Sequence, residues 1–184
     1  SNIALVKNKP FAPRTLLCCD DQVYSTRGTP LHEFFLTLRT KLEVCLVACA
    51  GYRLISLLHK NNFYHLDARV QNIIVVKGHR DGAVNVSLPM DDVHLCFIDF
   101  ETLWAPSTLM SQNDIDIFNE GSVAMQDYGW VTHKEYEELD VAYRYDVHTF
   151  SESLRTICYS DTSFFSELQT SYVRVIGHIP DCLL

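Results

Sequence analysis

The chain has 184 residues, enough for one ordinary domain and cramped for two. Apolar types make up 47% and charged types 21%, which supports a packed core and excludes wholesale disorder. Fifteen Lys and Arg against 23 Asp and Glu leave a net charge of −8, the wrong sign for a general nucleic-acid binder.

Residues 1–30 read as short extended pieces, Ile3 to Lys7, Thr15 to Cys19 and Gln22 to Thr26, punctuated by Pro10, Pro13 and Pro30. Gly28-Thr29-Pro30 then opens a helical stretch running to Asn62, where Leu46, Ala50, Leu54, Leu57 and Leu58 recur at spacings of three and four. The stretch is too long for one helix. A break is expected near Thr37 to Lys41, with Asn61-Asn62 as the stop. Ile73 to Val76 is a β-branched run that predicts a buried strand. A loop over 77–92 follows, with a short strand at Val84 to Leu88, and then a second apolar strand from Val93 to Phe100. Residues 101–140 show no clean period. Asp146 to Tyr159 is predicted helical, with Val147, Phe150, Leu154 and Ile157 on one face, and one more helix and a tail complete the chain.

The seven cysteines, Cys18, Cys19, Cys45, Cys49, Cys96, Cys158 and Cys182, form no CxxC pair. A structural zinc site is therefore not expected, and free thiols in such number suit an intracellular compartment, cytoplasmic or nuclear. Asn85-Val86-Ser87 is a glycosylation sequon, which matters only in a secreted chain. No signal peptide is visible, and no apolar run approaches the roughly 20 residues that span a bilayer, so no membrane partner is expected. Ser1-Asn2 lacks an initiator Met, so the chain is expected to be a piece of something longer.

The informative segment is His65-Leu66-Asp67-Ala68-Arg69-Val70-Gln71-Asn72, directly before the first strong strand. Phe97-Ile98-Asp99-Phe100 ends the next one. This arrangement suits metal-assisted phosphoryl transfer, which needs a carboxylate to orient an attacking hydroxyl and hard oxygen ligands for Mg²⁺. Asp67 fits the first role, and Asn72 and Asp99 the second. The competing explanation is that Asp and Asn are common turn and cap residues. Both halves in order, each joined to the right strand, weigh against it.

The block resembles the catalytic loop of the protein-kinase-like fold, H-x-D-x-x-x-x-N, and Ile98-Asp99-Phe100-Glu101 resembles its D-F-G segment. Tyr145-Asp146-Val147-His148-Thr149-Phe150 is similar to the D-V-x-x-F start of the long buried helix in the kinase C-lobe. The resemblance implies an α+β chain: a mainly helical C-lobe over 28–184, with residues 1–27 as the remnant of a reduced or missing N-lobe. It implies Asp67 as the base, Arg69 holding phosphate, Asn72 and Asp99 on Mg²⁺, and ATP as donor. His65 and Asp146 would support the catalytic loop. Ala4-Leu5-Val6-Lys7 has the look of V-A-I-K, which would put Lys7 on the phosphates.

The departures are as informative. Leu66 stands where protein kinases often carry the Arg that pairs with a phosphorylated activation loop. Glu101 replaces the usual Gly, as in aminoglycoside and choline kinase-like enzymes. No G-x-G-x-x-G loop and no A-P-E segment occur. Two functions follow. One is an ATP- and Mg²⁺-dependent phosphotransferase acting on a protein Ser/Thr hydroxyl or a small-molecule hydroxyl. The other is an inactive pseudokinase or truncated kinase module that binds a protein, such as a partner completing the N-lobe. The remaining histidines, His59 among them, show no ligand spacing.

Overall fold

The computed structural model describes residues 5–13, 15–19, 22–25, 27–78, 86–88, 93–126, 130–139 and 141–157. The elements are β1 (Thr15–Cys19), β2 (Gln22–Ser25), β3 (Thr29–Pro30), α1 (Leu31–Phe35), α2 (Lys41–Lys60), β4 (Ile73–Lys77), β5 (Val86–Ser87), β6 (Val93–Phe97), α3 (Gln112–Ala124), α4 (His133–Leu139) and α5 (Ala142–Ile157). The chain is α+β. β1 and β2 pair antiparallel, and a separate antiparallel sheet runs in the order β3-β4-β6-β5.

The break in the long helical stretch has a local cause. Thr40 and Glu43 form a reciprocal cap: Thr40 Oγ1 accepts from the Glu43 amide at 3.1 Å, and Glu43 Oε2 accepts from the Thr40 amide at 2.8 Å. The Arg39 amide also donates to that carboxylate, and these amide donors hold Glu43 below the usual carboxylate range. At the other end Asn61 caps α2, and Asn62 turns the chain with φ of 59°.

α2 buries Val47, Ala50, Leu54, Ile55 and Leu58 against the sheet and α5. Leu46, expected on the buried stripe, is instead 37% exposed, because Val47 and Ala48 occupy the packed side there. α2 also corrects the expectation about apolar runs. By length and composition it is long and apolar enough to cross a membrane, with a mean hydropathy of 1.5. Here it packs in the core. Gly51 faces the Phe150 ring of α5 so closely that a Cβ added there would overlap the ring. Beside it, Tyr52 donates to Ser151 Oγ at 2.7 Å, and Ser151 donates to the Val147 carbonyl.

β4 is buried on both faces, which is why its sequence runs Ile-Ile-Val-Val without alternation. Ile73 and Val75 join the main core, whereas Ile74 and Val76 pack with Cys96 and Ile98. A second cluster gathers Leu66, Trp104, Phe118, Tyr136 and Ala142.

Several expectations change. Leu5 and Val6 lie in a helical turn, not a strand: the Lys9 amide donates to the Val6 carbonyl at 3.0 Å, and the Val6 side chain is buried in the core. The Phe11 ring sits 5.7 Å from Phe63, and its carbonyl accepts from the Phe97 amide at 2.7 Å. Thr29-Pro30 forms a short strand before α1. β6 stops at Phe97, because Asp99 takes a left-handed conformation with φ of 60° that ends the pairing. Residues 101–140 hold α3 and α4, whose apolar residues join a small aromatic cluster and so show no long stripe. The helix expected after Tyr159 lies outside the described residues.

Gly51→Ala is expected to destabilise the protein by about 1–3 kcal/mol, because the new methyl collides with the Phe150 ring. The helix-propensity gain of about 1 kcal/mol for Gly to Ala works in the opposite direction, so urea denaturation reads which effect dominates.

Candidate active site

The segment 65–72 reaches its position through hydrogen bonds to distant elements. Asp146, on the first turns of α5, is completely buried. Its Oδ2 accepts from the His65 amide at 3.0 Å and its Oδ1 from the Leu66 amide at 2.7 Å. The same Oδ2 bonds His59 Nε2 at 2.8 Å. A carboxylate accepts only, so His59 Nε2 is the donor. Each of these bonds satisfies a charge that burial would otherwise penalise heavily.

Leu66 has φ of 61°, a left-handed conformation that costs a bulky residue roughly 1–3 kcal/mol. Two things hold it there: the Asp146 carboxylate on its amide, and burial of its side chain in the cluster with Trp104 and Tyr136. The left-handed residue turns the chain so that Asp67, the next residue, is half-exposed rather than buried.

His65 is fully buried, and its Nε2 lies 2.8 Å from the Ile98 carbonyl. A carbonyl can only accept, so Nε2 carries the proton. The His65 carbonyl in turn accepts from Thr102 Oγ1 at 2.6 Å. The loop is thus tied to the segment that carries Asp99. Further on, the Val70 amide donates to Ser153 Oγ of α5 at 3.2 Å.

Within the loop, Asn72 Nδ2 donates to the Asp67 carbonyl and to Asp67 Oδ2, both at 2.9 Å. Arg69 Nη2 donates to the same Oδ2 at 2.7 Å. Asp67 Oδ1 carries no protein hydrogen bond among the described residues. The register then brings Asp99 alongside. Ile73 pairs with Phe97, and the Ile98 amide donates to the Asn72 carbonyl at 2.9 Å. Asp99 is the next residue and is exposed.

These residues fit a hard divalent cation. The Asn72 amide nitrogen is committed to Asp67, which leaves its oxygen as the free ligand atom. The Asp99 carboxylate is exposed at the same end of the two strands. An amide oxygen and a carboxylate are the donor types Mg²⁺ takes, with water and phosphate completing its shell. No three His, Cys, Asp or Glu side chains cluster among the described residues.

Lys7 does not have the strand setting expected for it. It is exposed on a turn after the helical residues Leu5 and Val6, not on a strand as the V-A-I-K likeness needs. The acidic pair Asp91-Asp92 lies outside the described residues. A cavity of ≈ 390 Å³ opens beside Arg69, between the loop and the polar face of α5, with Gln71, His148, Thr149 and Glu152 among its lining.

Sequence reasoning did not single out three contributors: His59, Thr102 and Ser153. Each acts through one hydrogen bond to a residue far along the chain, and no local spacing announces such a contact. No protein-family model and no curated protein matches the chain.

Asp146→Ala leaves two buried amides and His59 without their acceptor. It is expected to cost roughly 3–5 kcal/mol, visible as a large fall in the thermal midpoint. Asp146→Asn retains one acceptor oxygen and is expected to lose less.

Proposed function

We propose that this chain is an ATP- and Mg²⁺-dependent phosphotransferase with a protein-kinase-like C-lobe, acting on a hydroxyl of a protein Ser/Thr or of a small molecule. The observation that carries this reading is the pairing of Asp67 with Asn72 on a strained loop, set beside Asp99 by the β4/β6 register. The order of residues in the sequence is a pattern, and this arrangement supports reading it as a site for phosphoryl transfer.

Asn72 and Asp99 would hold the metal. Mg²⁺ bound there supplies charge neutralisation for the phosphates. Asp67 is the acceptor of the hydroxyl proton, through the oxygen that Arg69 and Asn72 leave open. As the acceptor oxygen bonds to the γ-phosphorus, the bond from phosphorus to the β,γ-bridging oxygen breaks. ADP leaves and the hydroxyl proton passes to Asp67. Asn72 and Arg69 fix the carboxylate's rotation, so the open oxygen keeps its direction. Arg69 is more than half exposed and has donors to spare for a phosphate oxygen. Lys7 is left out of this reading, because it lies on a turn rather than on a strand.

The first test is thermal unfolding with ATP or ADP, with and without Mg²⁺. Binding at a hundredfold excess over Kd is expected to stabilise by about 2.7 kcal/mol, which is roughly 5–11 °C for a chain of this size. The gain should need Mg²⁺ and should disappear in Asp99→Ala. No shift at millimolar nucleotide would favour the inactive, partner-binding module instead. In a transfer assay with labelled ATP, Asp67→Asn is expected to lose at least about a hundredfold in rate while keeping the thermal shift.

A further inference from the structure

We infer that His59 is a positioning residue for Asp67, acting through Asp146 and Tyr64. The role of positioning a base rests on the phosphotransferase reading, whereas the physical clamp does not.

Two independent contacts carry the inference. First, His59 Nε2 donates to Asp146 Oδ2 at 2.8 Å, on the same oxygen that takes the His65 amide. Two loop amides alone would hold the carboxylate from one side only. His59 holds it from α2, a helix of 20 residues packed in the core. The carboxylate's rotation is then fixed, so that its second oxygen stays on the Leu66 amide. Leu66 is the left-handed residue immediately before Asp67, and its conformation persists only while its surroundings impose it. Second, the His59 ring stacks on Tyr64, with centroids 4.7 Å apart and planes inclined by 29°. Tyr64 precedes His65 and exchanges two backbone hydrogen bonds with Trp104, each 2.8 Å long. One imidazole therefore braces the loop at Tyr64 and, through Asp146, at His65 and Leu66. Its side chain is only 18% exposed, so water does not compete freely for the donor.

The two contacts separate chemically. Gln places an amide N–H near the Nε2 position without a ring. Phe keeps a ring to stack on Tyr64 without a donor. The experiment compares amide hydrogen exchange at His65 and Leu66 in the wild type, His59→Gln and His59→Phe, normalised to Val75 in the middle of β4. His59→Phe is expected to lose about tenfold in normalised protection at both amides, and His59→Gln to stay within about threefold of wild type. Equal behaviour of the two variants, or a loss at Val75 that matches the loop, overturns the inference and leaves His59 as an ordinary stability residue. In the transfer assay His59→Phe should lower kcat with KM for nucleotide unchanged, and His59→Gln should restore most of it. If the wild-type protein transfers no phosphate, the phosphotransferase reading fails, while the exchange pattern still decides whether His59 clamps the loop.

Discussion

A carboxylate removed from water must find donors within the protein or not be charged at all, and the Asp146 side chain meets that demand with three. Its oxygens draw together α5, the end of α2 and the loop that carries Asp67. The chain separations are 87 residues to His59 and about 80 to the loop. The strain at Leu66 makes sense only in this setting. An amide directed at a buried carboxylate is stabilised enough to offset an unfavourable φ, and the same geometry turns the next residue outward.

The second constraint is the antiparallel pairing of β4 and β6. Both strands are buried, so a one-residue slip would exchange their two faces between two apolar clusters. Register is therefore strongly specified, and with it the juxtaposition of Asn72 and Asp99 just beyond the paired residues. The two polar residues sit where pairing stops, one entering β4 and the other leaving β6. Rigid strands thus set the spacing of the candidate metal ligands, and a loop held by side-chain hydrogen bonds sets the candidate base.

Packing beneath the loop serves the same end. Gly51 lets the Phe150 ring approach α2 closely, and the Tyr52–Ser151 bond lies beside that contact. This close approach keeps Asp146 within reach of His59. The thiols of Cys45 and Cys49 on α2 carry no disulfide. Burial pushes the Cys49 thiol up, with Cys45 adding to the shift, so at neutral pH it is a protonated packing group.

Much of this was legible in the residues themselves. The β-branched run of Ile73 to Val76, the apolar spacing before Asn61 and the stripe of Val147, Phe150 and Leu154 predict their elements, because local periodicity reports burial directly. The order of Asp67, Asn72, Asp99 and Asp146 pointed to a site for the same reason: each stands at a fixed step from a recognisable strand or helix. The sequence by itself thus determined the types of these three elements and the chemical inventory of the candidate site. Tertiary structure alone decided the rest. The helical turn at Leu5 and Val6, the left-handed Asp99, the exposure of Leu46 and the small aromatic cluster around Tyr136 each depend on what packs nearby. His59 is the clearest case. Along the chain it is one histidine near a helix end, and only folding brings it to a buried carboxylate 87 residues away, where the cost of an unmatched charge gives it a role.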